Sequence, residues 1–460
     1  MHPNLNVTLQ QRVLDHTRQV DALDFFHLLT GPKLREQVEE LLPIHRERVF
    51  PPTETLAMFL GQALSPDGSC RQAVDDAIVQ QLLSGGVPQS TNTSAYCQAR
   101  ARLPLPMLST LTCAVGGIVA AEAPVKWHWQ GRPVRLVDGT TVTLPDTAEN
   151  QALYPQSRSQ KAGLGFPIMR IVALMCLATG GLLNAAFGPC QGKGSDEQSL
   201  LRLMLETLQP REILIGDAYY ATYFLLCALI AQGVDGLFEQ YGARKRCTDF
   251  RLGQILGVRD HRVVLTKPKK KPDWMSQEAY DQAPATLTVR EFQAGGKIMV
   301  TTLLCPKQAP KARLRRLYAC RWTMELDLRN IKTTLGMEQL RCKTPEMAHK
   351  ELWVYLLAYN LIRLLMTQAA RLTDQLPRQL SFKHTVQMWI SWQQRRGTTC
   401  DTVIFQALLV LIAKPQVGLR PGRIEPRALK RRLKNYPLLT QPRAIAQEDV
   451  QQNGHPKKQR

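Results

Sequence analysis

Four residues of one segment, Tyr318, Arg321, Glu325 and Lys332, have types and spacing that could handle a phosphodiester. At about 100° per helical residue they fall within about 60° of one another, on a single stripe. Leu317, Met324, Leu328, Ile331 and Leu335 form an apolar stripe beside it, so 309–335 reads as one helix with a buried face. A guanidinium grips phosphate through a planar fork, an ammonium acts as a point charge, and a phenol hydrogen-bonds or stacks. One carboxylate set among three such groups points to a site acting on nucleic acid.

Two further acids share that character. Asp138 lies inside an alternating run, Leu136-Val137-Asp138-Gly139, and Asp217 follows the apolar run Ile213-Leu214-Ile215. A carboxylate within or ending a buried strand is costly unless it is paired, hydrogen-bonded or metal-bound. Taken singly, each Asp could cap a turn or pair with an arginine. Converging with Glu325, the three could hold two divalent cations about 3.5–4 Å apart, one favouring the attacking oxygen and one the leaving oxygen. Oxygen donors suit Mg2+, and Mn2+ would also fit. The nine histidines are dispersed, with no His-Glu-x-x-His or Cys/His cluster, and no Gly-x4-Gly-Lys-Ser/Thr loop is present to hold a nucleotide cofactor.

Composition agrees with a polyanionic partner. The 460 residues include 59 Lys and Arg against 38 Asp and Glu, a formal charge of +21. The longest apolar runs, Val403–Ala413 and Leu352–Met366, fall short of the roughly 20 residues a membrane span needs, and the second contains Asn360 and Arg363. No signal-peptide core opens the chain, and the eleven cysteines form no Cys-x-x-Cys pair. A cytoplasmic protein with reduced thiols and no membrane partner is expected.

The elements that must position these groups follow from periodicity. Residues 22–29, 34–42, 53–64, 70–83 and a stretch from Ser94 to Arg102 have helix-like character, and helix-turn-helix DNA contact is compatible with them. From about residue 132 strands dominate: 134–144, then 168–179 and 182–187 joined by Gly180-Gly181. A helix over 196–208 capped by Ser195, a buried strand 212–215, a helix 221–232 and a strand 236–239 complete a mixed α/β pattern. Residues 241–304 read as a mostly β stretch with basic clusters at 244–246 and 267–271. Long helices are expected over 346–370, 382–396 and 402–413. The tail from Lys414 carries twelve basic and three acidic residues, a net +9. Arg158, Lys161 and Arg170 flank the link Gly163-Leu164-Gly165 and could touch DNA. Asp196 and Glu197 read as acids that start a helix, and Trp322 as a core residue.

Tyr318-x2-Arg321-x3-Glu325-x6-Lys332 resembles the Tyr-Arg-Glu-Lys signature of bacterial DDE transposases of the insertion-sequence-four group, to which the transposon-five transposase is related. Trp322, the Asp138-Gly139 pair and Asp217-x-Tyr219-Tyr220 are similar as well. The resemblance covers roughly residues 20–370. It implies an α/β fold in which a ribonuclease-H-like catalytic core is interrupted by a β insertion. The implied domains are a helical DNA-binding region (1–125), the first part of the core (126–240), the insertion (241–304), the second part (305–372), and C-terminal helices with a basic tail (373–460).

By the same resemblance Asp138, Asp217 and Glu325 would bind the metal ions, while Tyr318, Arg321 and Lys332 would grip phosphates. The implied activity is cut-and-paste transposition: cleavage at terminal inverted repeats of double-stranded DNA, then strand transfer to a target. A homodimer in a paired-end complex, in the bacterial cytoplasm and on the nucleoid when bound, goes with it. A ribonuclease-H-fold nuclease without strand transfer, or a catalytically silent DNA-binding relative, would share most of these features. The chain departs from the transposon-five relative at one point. There a tryptophan about twenty residues before the signature tyrosine stacks on a flipped base; here Lys297-Ile298-Met299 holds no aromatic, and Phe292 and Trp274 lie further off.

Overall fold

The computed structural model describes residues 40–42, 50–83, 85, 90–192, 194–240, 242–395, 402–417 and 438–454. The helix expected at 22–29, most of that at 34–42 and most of the tail beyond Lys414 lie outside these residues.

Alternation of β-branched and apolar residues makes Val134–Thr143 a strand, β1, at the heart of a mixed α/β fold. β2 (Ile168–Cys176) and β3 (Leu182–Pro189) follow as an antiparallel hairpin. Its turn needs a left-handed residue, met by Gly180 at φ +76°. Two short strands, β4 (Ile213–Ile215) and β5 (Asp235–Glu239), then run parallel to β1, with β4 adjoining it.

Residues 241–304 supply β6 (Gln254–Gly257), β7 (Asp260–Thr266), β8 (Thr286–Ala294) and β9 (Lys297–Thr301). These strands do not form a sheet of their own. β9 pairs antiparallel with β5, and a single nine-stranded sheet results, in the order β3-β2-β1-β4-β5-β9-β8-β7-β6. Ion pairs anchor the added strands: buried Arg290 donates two bonds to Asp260, at 2.8 and 2.6 Å, and half-exposed Arg244, on the short helix Gly242–Cys247, donates two to buried Glu291, at 2.6 and 2.8 Å.

The helices used below are α1 (Pro52–Leu64), α2 (Cys70–Leu83), α3 (Ser94–Arg102), α4 (Leu105–Ala121), α5 (Glu197–Arg202), α6 (Tyr223–Ala231), α7 (Lys311–Ala319), α8 (Trp322–Arg329), α9 (Pro345–Leu372), α10 (Phe382–Arg395) and α11 (Thr402–Ala413). Because side chains alternate across a strand, β1 feeds two cores. Val134, Leu136 and Val142 face a core built with α1, α4, α7, α8 and the long α9, whose sides are buried almost all round. Val137 faces the other, with α5 and α6. Phe50, Ala73, Val74, Tyr96 and Ala99 form a small separate core between α2 and α3. Among the described residues no single helix is long and apolar enough to cross a membrane.

Candidate active site

The strand register brings the first two acids to one level. Leu136 of β1 stands beside Ile215 of β4 in parallel pairing, and Asp138 and Asp217 each lie two residues further on. Adjacent strands are about 4.8 Å apart, so both acids emerge together where β4 ends. Asp138 Oδ1 accepts from the Gly139 amide at 2.9 Å, while Asp217 caps the following turn, its Oδ1 accepting from the Tyr219 amide at 2.8 Å.

Glu325 reaches the same place from α8, on the side of the sheet that Leu136 faces. The segment carrying it is not one regular helix, as its spacing suggests. The amides of Cys320, Arg321, Thr323 and Met324 bond three residues back, tightening the chain between α7 and α8. Beyond α8, Asn330–Thr334 widens into a π-turn, and the Leu335 amide bonds Asn330 five residues back. A uniform 100° per residue therefore fails on both sides of Glu325. π-turns inside helices occur often at functional sites, and Lys332 sits within this one.

Arg321, at the tightened step, bridges two acids. Its Nη1 lies 3.3 Å from Asp138 Oδ2 and its Nη2 lies 3.2 Å from Glu325 Oε1. Both simple alternatives of the sequence thus hold as geometry: Asp138 pairs with an arginine, and Asp217 caps a turn. Neither removes the excess of negative charge. The Asp138 carboxyl is pushed up to about 6, first by burial and then by Asp217 and Glu197, against the opposing pull of the Gly139 amide and Arg321.

Glu197 is a fourth acid here, and its placement differs from the sequence reading. Asp196, rather than Ser195, caps α5, accepting from the Gln198 and Ser199 amides at 3.0 and 3.1 Å. Glu197 turns away to the middle of β1, beside Gly139, where Oε2 accepts from the Tyr220 hydroxyl at 3.1 Å. A Cβ on Gly139 would lie 2.2 Å from Glu197 Oε1, so the carboxylate occupies the space that a side chain at 139 would fill. Its own carboxyl is raised by burial and by Asp217. Position at a helix start disguised this residue. The available signal was that Asp196 alone meets the capping need.

The remaining candidates divide. Tyr318 is half-buried, its hydroxyl pushed up to about 12 by burial, and the Lys297 ammonium lies 5.8 Å from its ring centre. Phe292 is fully buried, and Trp274 instead stacks on Arg202, 3.8 Å from its ring centre. Trp322 is 55% exposed and not a core residue: α8 buries Met324 and Leu328, which leaves position 322 facing outward. Arg158 and Lys161 are exposed, with no hydrogen bond or ion pair to the acids among the described residues. Arg170 is half-buried, donating to the Ser195 carbonyl at 2.8 Å.

Beneath the site, Asp327 anchors α8. It is 1% exposed and ion-paired with Arg363 of α9 and with Arg378, whose Nη1 is 2.7 Å from Oδ2. Arg363 also donates to the Tyr359 hydroxyl, which donates to the Gly180 carbonyl, and Arg378 donates to the Leu177 carbonyl.

Among the described residues, no three His, Cys, Asp or Glu side chains stand ready to enclose one ion, and the Arg321 guanidinium lies between Asp138 and Glu325. The donor chemistry nevertheless fits a hard divalent cation: all donors are carboxylate oxygens, and the acids outnumber their cationic partners.

Residues 129–361 match the family described as "Transposase DDE domain", a stretch that includes all three acids. The chain is 28% identical over 402 residues, 85% of its length and 88% of the other's, to "Transposase InsG for insertion sequence element IS4" of Escherichia coli (strain K12). It is 31% identical over 141 residues to "Putative transposase InsZ" of the same organism, covering 30% of this chain and 46% of that one. The solved piggyBac transposase synaptic complex with hairpin DNA aligns over 88% of this chain and 87% of that one, with 9% identity and a TM-score of 0.42. The chain belongs to the DDE transposases of the insertion-sequence-four group, DNA-binding enzymes that cleave and transfer DNA strands and use divalent metal ions.

Proposed function

We propose that this enzyme performs cut-and-paste transposition, with Asp138, Asp217 and Glu325 as the ligands of its divalent ions, Mg2+ or Mn2+. The supporting observation is the parallel register that levels Asp138 with Asp217, beneath a helix that brings in Glu325. The strand order β3-β2-β1-β4-β5, with β4 and β5 parallel to β1, supports a ribonuclease-H-like core from 126 to 240 completed by 305–372. Residues 241–304 would then be an insertion that extends its sheet, 1–125 a helical DNA-binding region, and 373–460 a C-terminal region with a basic tail.

Bound divalent ions would activate the attacking oxygen and stabilise the leaving oxygen of a phosphodiester. Arg321 holds Asp138 and Glu325 together, and with divalent ions held by those acids its guanidinium would be free to grip a DNA phosphate. Lys332, half-buried and without an ion-pair partner among the described residues, is a point charge for a neighbouring phosphate, and Tyr318 orients the strand. Arg158 and Lys161 add outer phosphate contacts, whereas Arg170 acts through the Ser195 loop. Two copies act on paired inverted-repeat ends in the cytoplasm.

A plasmid carrying the gene's own flanks tests this reading. Asp138→Ala, Asp217→Ala and Glu325→Ala should each abolish Mg2+-dependent end cleavage while end binding persists. Cleavage retained by any of them removes that residue from the ligand set. Cut ends that are never joined to target DNA would instead indicate a hydrolytic nuclease. Lys332→Ala should lower the salt dependence of end binding by about one unit of slope, and an unchanged slope excludes a phosphate contact.

A further inference from the structure

We propose that Glu197 is a fourth carboxylate of the catalytic site, set against the divalent ions from the opposite face of the sheet, with Gly139 admitting it and Tyr220 aiming it. The proposal rests on the reading of Asp138 and Asp217 as metal ligands.

Three observations converge on this residue. Alternation along β1 places Gly139 on the face of Val137, the side covered by α5. A side chain at 139 would collide with Glu197, and the nearest atoms to its ideal Cβ are the three of that carboxylate, at 2.2, 2.3 and 2.8 Å. Gly139 is in extended backbone that any residue could adopt, so the space for Glu197 is what glycine provides. Tyr220 is buried and donates its hydroxyl hydrogen bond to Glu197.

A helix-start acid would be explained by the dipole, but two features oppose that. Asp196 already accepts the two available amides, and the helix is only six residues long. Glu197 also has no lysine or arginine ion pair among the described residues, although it is half-buried and feels the charge of Asp217 and adds to that on Asp138. The nearby Arg170 gives its hydrogen bond to the Ser195 carbonyl instead. An unpaired carboxylate held against two others needs a cation, and the one that the family uses would meet that need.

Mn2+ binding to the full-length protein without DNA, followed by the paramagnetic resonance of the free ion, separates the alternatives. Glu197→Gln keeps an oxygen for Tyr220 but loses the charge. It should weaken Mn2+ binding about tenfold, the scale seen when a supporting carboxylate is lost. Gly139→Ala should displace the same carboxylate and weaken binding to a similar degree. The double variant should be no weaker than either single one, because both act on one group. Native affinity in Glu197→Gln, or losses that simply add, would overturn the proposal. Asp138→Asn serves as the reference and should eliminate tight binding. If it binds Mn2+ normally, the underlying assignment of the ligands fails instead.

Discussion

Glu325 and Asp327 stand two residues apart on α8, yet their surroundings are opposite. Asp327 is sealed beneath the helix between two arginines, Arg363 and Arg378, which are themselves bonded to Tyr359 and to the end of β2. Glu325 is 39% exposed and shares a single arginine with Asp138. The sheet repeats the contrast. Asp260 and Glu291, in the strands beyond β5, each take two bonds from one arginine, whereas Asp138 shares one guanidinium with Glu325 while Asp217 and Glu197 push its carboxyl up. These three structural acids are held by arginines, and the acids of the site are left short of cations. That shortage is the physical basis for binding metal.

The contrast is broken most severely at its saturated end. Asp327→Ala would strand buried Arg363 and half-buried Arg378, a loss of about 3–5 kcal/mol for removing one partner of a buried pair. Glu325→Ala, removing an exposed and shared ion pair, should change stability by less than about 1 kcal/mol. Urea unfolding of both variants at neutral pH checks this. Similar losses in the two would mean that Glu325 is as structural as Asp327.

The undersupplied end should respond to pH. In the metal-free protein Asp138 titrates near 6, against 3.8 for an ordinary aspartate. The folded state therefore holds the proton more tightly than the unfolded state does. Its stabilising contribution is present below about pH 4 and is lost as pH rises through about 6, a change of at most about 3 kcal/mol. Asp138→Asn removes that penalty. Denaturation in the presence of a chelator should show the variant more stable than the native protein at pH 7 and similar to it near pH 4. Parallel stability curves across that range would show that Asp138 is adequately compensated after all.

These settings were unevenly legible in the sequence. β1, β2 and β3 declare themselves through alternation, and Asp138 and Asp217 stand out because a charged residue interrupts or ends an apolar run. The pairing of β1 with β4 is different. It joins segments about eighty residues apart, and nothing in either period names the partner. The same is true of β9, whose alternation suits a separate sheet as well as the extension of β5 that it forms. Helical spacing could not reveal the tightened step at Arg321 or the π-turn at Lys332, because both depend on which carbonyl each amide reaches. Glu197 was hidden for a chemical reason. An acid at a helix start has a sufficient local explanation, and only the crowding against Gly139 exposes another.

The smallest effect should come from exchanging the shared cation. A guanidinium presents two nitrogens in a fixed plane, so Arg321 reaches Asp138 and Glu325 at once, at 3.3 and 3.2 Å. A lysine ammonium is a single centre on a flexible stem. Arg321→Lys should therefore keep one contact and weaken the other, and Glu325, being more exposed, is the one that water can replace. Unfolding stability at neutral pH should fall by less than about 1 kcal/mol, since half of the lost interaction faces solvent. End cleavage should suffer more than stability does, because the fork also serves the phosphate in the proposed reaction. If Arg321→Lys instead destabilises the protein as much as Asp327→Ala does, the guanidinium belongs with the saturated network under α8, and the boundary between structural and site electrostatics runs above Glu325 instead of below it.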